Sequence, residues 1–135
     1  MVELIISRKL LDEVISHCHE EYPKEACGIL AGKDWVVKKV YKMKNLDNSS
    51  VSYMMDSKEQ LTVMKEISKE GLDMTAIYHS HPDLDVYPSP RDVQLASYPD
   101  SVYLIVGFIE NNLRVKAFNI KEGKVEEVEM RVVVK

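Results

Sequence analysis

The chain has 135 residues, 45% hydrophobic and 30% charged, with 22 acidic and 18 basic side chains and a formal net charge of −4. That is the size and make-up of one soluble globular domain spanning residues 1–135, not of a disordered tail. Its acids and bases are interspersed with no basic, aromatic-rich patch, which argues against nucleic acid as a partner, and its longest apolar run, VYLIVGFI at 102–109, is far short of the roughly 20 residues of a membrane span. Charges at Glu3, Arg8, Lys9, Asp12 and Glu13 argue against a secretory signal, so the expected location is cytoplasmic. Two cysteines, Cys18 and Cys27, do not make a disulfide framework and read as small buried side chains, with a single bridge between them left open.

The apolar stretch 2–6 reads as a first strand. Ser7 then offers an N-cap for a helix over 8–21, whose Leu10, Leu11, Val14, Ile15 and Cys18 form one stripe, and Pro23 stops it. Residues 25–32 and 35–45 read as two strands joined in a hairpin at Gly32-Lys33-Asp34. A polar loop over 46–50 leads to another short strand at 51–56. Ser57-Lys58-Glu59-Gln60 has the form of a capping box opening a helix through Leu61, Met64 and Ile67, which Gly71 ends.

Residues 74–81 form a strand. Ser89-Pro90-Arg91-Asp92 combines an N-cap, a proline at the first helical position and an acid in the first turn, so a short helix begins there and ends near Tyr98-Pro99. Stretches 101–109, 112–120 and 124–134 make an antiparallel meander turning at Asn111-Asn112 and Glu122-Gly123. The expected fold is α/β, a mixed and largely antiparallel sheet flanked by helices.

Chemistry concentrates where the strand 74–81 ends. Alternate strand residues face one side, so His79 and His81 point together and can converge on one cation. Zinc suits two imidazoles with a carboxylate as third ligand, and a catalytic zinc keeps its fourth position open. Asp83, Asp85 and Asp92 compete for that third place. Asp83 and Asp85 follow His81 so closely that the backbone would have to fold back sharply, whereas Asp92 sits on a helix and costs less ordering. Asp92 is therefore favoured. His17-Cys18-His19 repeats the pattern inside a helix, where residues two apart diverge by roughly 200° and cannot share a metal.

The set His79, His81, Ser89 and Asp92 resembles the signature of the JAMM or MPN+ metalloproteases. PKEACGIL at 23–30 is similar to the upstream block of the same family. The resemblance covers nearly the whole chain and implies a cytidine-deaminase-like α/β fold. It implies that His79, His81 and Asp92 bind one Zn²⁺, that Glu25 is the general base for a water, and that Ser89 donates a hydrogen bond to the developing oxyanion. Cys27 and Gly28 read as packing and close strand approach, not as nucleophile or ligand.

Members of this family cleave amide or isopeptide bonds after the C-terminal Gly-Gly of ubiquitin or its relatives. The resemblance therefore implies a β-grasp partner, ubiquitin-like or sulfur-carrier, ending in Gly-Gly, and leaves a homodimer open. With no long insertion evident, the chain reads as a bare catalytic core acting as a stand-alone enzyme. Its 45–56 loop, bearing Tyr53, Met54 and Met55, is expected on the substrate-facing side, with core filling the favoured reading for the two methionines. A non-catalytic scaffold is disfavoured because Glu25, His79, His81, Ser89 and Asp92 are all present. A structural zinc wants four protein ligands, and a deaminase wants a Cys-x-x-Cys pair, which the sequence lacks.

Overall fold

A computed structural model describes residues 3–83, 85–109 and 112–134. Strand β1 (Glu3–Ser7) leads into helix α1 (Arg8–Glu21), then β2 (Cys27–Lys33), β3 (Val36–Met43), α2 (Ser57–Lys69), β4 (Asp73–His81), α3 (Pro90–Leu95), β5 (Val102–Ile109), β6 (Asn112–Lys121) and β7 (Lys124–Val133). The strands close into a barrel in the order β1-β3-β2-β4-β5-β6-β7. Pairing is antiparallel in β2–β3, β2–β4, β5–β6 and β6–β7, and parallel in β4–β5 and where β1 meets β3 and β7. The mixed, largely antiparallel sheet is thus present, and its closure adds to it: β1 lies along β7 from Glu3↔Glu129 to Ser7↔Val133.

Two apolar clusters occupy the two faces of the sheet. One gathers Leu11, Val14 and Cys18 of α1 with Leu4, Ile6, Leu30, Tyr78 and Leu104. The other gathers Val63 and Ile67 of α2 with Cys27, Ile29, Ile77 and Ile105. Strand β4 lies between them and is buried continuously from Thr75 to His81, as expected of a strand covered on both sides. Each fully buried Leu or Ile contributes roughly 1.5–3 kcal/mol, so β4 is held by the whole core, and its C-terminal end is a rigid place for chemistry.

Because β4 and β5 are parallel, the chain between them must run back along the sheet, and α3 rides on that crossover. Its first turn comes back over the end of β4. Ser7 caps α1, accepting from Leu10 N at 3.2 Å, and Gly71 leaves α2 at φ +73°. The cysteines are both free and buried.

Four local expectations are corrected. The β2–β3 hairpin turns at Asp34-Trp35, both left-handed at φ 52° and 68°, and not at Gly32-Lys33-Asp34, because Gly32 and Lys33 still pair with Val37 and Val36 in the ladder. Residues 51–56 are not a strand. They make one isolated bridge, Asn45↔Met55, since the Met54 N–H donates to the Asn45 side chain instead of to a ladder. The N-cap of α2 is Asp56, not Ser57: the Asp56 carboxylate accepts from Lys58 N at 2.9 Å and its backbone is extended. Helix α3 ends at Leu95, short of Tyr98-Pro99. Of the turns in the final meander, Glu122-Gly123 is present with both φ positive, while Asn111 lies outside the described residues and Asn112 already belongs to β6.

Candidate active site

The end of β4 brings His79 and His81 to one face, and α3 places Asp92 against them. His79 Nε2 and His81 Nε2 are 3.1 Å apart, and Asp92 Oδ2 is 3.1 Å from the first and 3.0 Å from the second. The two imidazoles are buried, at 1% and 2% exposure. The order of α3 explains why the carboxylate is held so closely. Ser89 Oγ accepts from Asp92 N at 3.1 Å while Asp92 Oδ2 accepts from Ser89 N at 2.9 Å, a reciprocal capping box with Pro90 at the first helical position.

These three atoms fit a small cation. Ligands roughly 2.0–2.1 Å from a tetrahedral zinc stand about 3.3 Å from one another, close to the triangle seen here. His81 Nδ1–H donates to the Asp85 carbonyl at 2.8 Å, which leaves the Nε2 lone pair turned inward, the usual outer support of a metal-binding histidine. Burial lowers the pKa of His79, so it stays a neutral donor. Burial alone would raise the Asp92 pKa, but the close His79 and His81 rings and the Ser89 N–H outweigh it and hold the carboxyl well below its usual range. Among the described residues this is the one such group of potential ligands. His17 and His19 are not in it.

Asp83 and Asp85 do not join the cluster by their carboxylates. Asp83 accepts from the Tyr22 hydroxyl at 2.7 Å, and the Asp85 carboxylate accepts from Val86 N. Asp85 contributes its backbone oxygen, which no side-chain pattern could have announced.

Glu25 lies just before β2. In the antiparallel β2–β4 ladder Cys27 faces His79, and Ser80 N donates to Ala26 O at 3.1 Å, so the register carries Glu25 on toward His81. The residue is 1% exposed, and its Oε1 is buried with no protein partner among the described residues. Burial, with Asp92 nearby, pushes its pKa up to about 8 against the opposing pull of His81. A buried carboxyl oxygen with no partner costs stability, and such groups concentrate at functional sites. Glu25 itself is outside the strand expected at 25–32, since β2 begins at Cys27.

Gly28 has the role expected of it. A Cβ there would run into the ring of Tyr78 on β4, whose hydroxyl lies 2.7 Å from His17 Nδ1. Tyr53, from the loop between β3 and α2, stacks on His79 with ring centroids 4.6 Å apart. That contact was not foreseen, although the loop was expected near substrate. Beside the cluster a groove of about 210 Å³ is lined by Tyr53, Met54, Met55, Arg91, Asp92 and Tyr98, among others. Met54 is half exposed while Met55 is packed into the core.

The family described as prokaryotic homologs of the JAB domain matches residues 7–121. A CysO-cysteine peptidase of Mycobacterium tuberculosis is 33% identical over 133 residues, covering 96% of this chain and 91% of the relative. A probable TtuB-protein conjugate cleaving protease of Thermus thermophilus is 37% identical over 122 residues, covering 90% and 78%. A solution structure from Desulfitobacterium hafniense superposes with a TM-score of 0.87 at 34% identity, covering 98% of this chain and 94% of that one.

Proposed function

This chain belongs to the family of prokaryotic JAB-domain homologs, a hydrolase lineage, and we propose from that premise that it cleaves the amide or isopeptide bond after the C-terminal Gly-Gly of a ubiquitin-like or sulfur-carrier protein. One zinc ion would be held by His79, His81 and Asp92. When bound, it supplies Lewis-acid polarisation that brings a water's pKa toward neutrality and draws on the scissile carbonyl.

The chain's own groups do the rest. Glu25, with Oε1 buried and unpartnered among the described residues, takes a proton from the attacking water and returns it to the leaving nitrogen. Ser89 Oγ already accepts from Asp92 N, so its own O–H is free to donate to the carbonyl oxygen as negative charge develops there. His81 is oriented by the Asp85 carbonyl and Asp92 by the Ser89 peptide, so neither must reorganise during the reaction.

The single observation that carries this reading is the buried, unpaired carboxyl of Glu25 in register with a His-His-Asp triangle. The names of the relatives, one for CysO-cysteine and one for TtuB conjugates, support a small carrier protein as substrate. The groove beside the triangle supports an extended tail. Two glycines bring no side chains, so backbone hydrogen bonds and a narrow channel suffice to hold them.

The test is intact mass of a ubiquitin-like protein carrying a short extension after Gly-Gly, incubated with zinc-loaded enzyme. Cleavage after the second glycine is expected for the wild type. Glu25→Gln should keep its zinc and lose kcat by roughly two to four orders of magnitude, the usual share of a general base. Full activity of Glu25→Gln would remove the base assignment.

A further inference from the structure

Glu25 precedes β2, and β4 holds the chain only from its next residue, where Ala26 N donates to Ser80 Oγ at 2.8 Å and Ala26 O accepts from Ser80 N at 3.1 Å. Its N–H donates to the Ser49 carbonyl at 2.7 Å, and its carbonyl accepts from Asn45 Nδ2 at 3.0 Å. Both partners belong to the loop between β3 and α2. The N–H and the carbonyl of the base itself are therefore both held by that loop.

Asn45 organises the loop. Its Nδ2 donates to Glu25 O and to Ser52 O, each at 3.0 Å, while its Oδ1 accepts from Asp47 N and from Met54 N, each at 3.0 Å. Two carbonyls on one side and two N–H groups on the other determine the amide's orientation, and both donors and both lone pairs are used. A network with every member satisfied is stiff. The same loop stacks Tyr53 on His79 and sets Asp47 3.6 Å from Arg91, the neighbour of Asp92. It thus touches the base, one proposed ligand and the helix bearing another.

We propose that Asn45 is a positioning residue for the reaction: by bridging Glu25 O to the 45–54 loop it holds the Glu25 carboxyl in register with His81. The inference rests on the reading of Glu25 as the base. Catalytic geometry tolerates little error, and a displacement of about 1 Å is enough to cost about 100-fold in rate.

Two substitutions separate positioning from mere stability. Asn45→Asp keeps the acceptor that serves Asp47 N and Met54 N but loses both donors; Asn45→Ala loses all four bonds. Ser101→Ala is the control, since the Ser101 hydroxyl donates to Met74 O at 2.7 Å near the start of β4, away from His79 and His81. Each protein is zinc-loaded, and steady-state kinetics on the Gly-Gly-extended substrate are read with zinc content, thermal midpoint and amide exchange at Glu25. Both Asn45 variants should keep one zinc per chain and an unchanged KM, and lose kcat by about 10- to 100-fold. Exchange at the Glu25 N–H should accelerate. Asn45→Ala should be the less stable of the two, and Ser101→Ala should lose stability at constant kcat.

Unchanged exchange at Glu25 in Asn45→Asp would overturn the proposal whatever the substrate. So would full kcat in both Asn45 variants while Glu25→Gln is inactive, which leaves the base reading intact. An active Glu25→Gln would instead remove the base reading itself. Loss of zinc along with kcat would mean that the loop holds ligands and not the base, again overturning the role given to Asn45.

Discussion

His17-Cys18-His19 and His79-Ser80-His81 have the same spacing in one molecule, the first on α1 and the second on β4. On the helix the two rings part company. His17 turns inward, where its Nδ1 lies 2.7 Å from the Tyr78 hydroxyl, and His19 lies against Phe108 with ring centroids 4.4 Å apart. On the strand the two rings come together, Nε2 to Nε2 at 3.1 Å, with Asp92 completing the triangle. The difference is the period of the backbone, 3.6 residues against 2. A histidine pair can converge on one cation when the secondary structure turns both nitrogens the same way and a third group is delivered from a rigid element.

The largest effect that can test this contrast is metal content. His79→Ala and Asp92→Ala should bring zinc from one per chain to background by elemental mass spectrometry and abolish hydrolysis. His17→Gln and His19→Gln should leave both unchanged. Zinc lost from either helical variant would mean that the two pairs are not as different as their geometry says.

A smaller effect reaches the point where the two pairs meet. Tyr78 is buried between them: its backbone adjoins His79 and its hydroxyl meets His17, and Gly28 makes room for its ring. Gly28→Ala should force the ring to shift, costing about 1–3 kcal/mol as overpacking in a dense core usually does. Chemical denaturation of the zinc-loaded protein measures it directly. A neutral Gly28→Ala would show that the sheet relaxes there and that Tyr78 is not constrained by β2.

Much of this was legible along the chain, and the reasons are local. The caps Ser7 and Ser89 each act over three residues, and His79, His81 and Asp92 span only thirteen, so short-range rules reach them. Closure of the barrel was not legible, because Glu3 pairs with Glu129 and no nearby residue signals a parallel contact between the chain's two ends. The 51–56 stretch misled for a related reason. Its apolar letters suit a strand, but the backbone there bonds to a side chain, Asn45, whose four partners are spread from Glu25 to Met54. Asp56 and Ser57 are both good caps, and which of them starts α2 depends on where the preceding loop delivers the chain. Glu25 itself needed the family resemblance, since a lone acid before a strand says nothing until the register sets it near His81.

The smallest effect separates the two pairs by proton binding. His17 has its pKa lowered from 6.5 chiefly by burial, with Lys42 acting in the same sense and Glu21 and Glu20 against it. In the folded chain it is therefore neutral, with Nδ1 2.7 Å from the Tyr78 hydroxyl. The unfolded chain takes up a proton at this residue near pH 6.5, and the folded chain does so only at lower pH. Stability from His17 is thus complete above pH 6.5 and is lost as pH falls toward the folded value, with a slope no steeper than about 1.4 kcal/mol per pH unit for one proton. His17→Gln should be less stable than the wild type above pH 6.5, and the gap should narrow as pH falls below 6.5. Denaturant midpoints of the two proteins at matched pH give that difference, and the ionisations they share cancel in the subtraction. A gap that widens on acidification would mean that the folded state favours a charged His17, placing it beside an anion and not against a phenol.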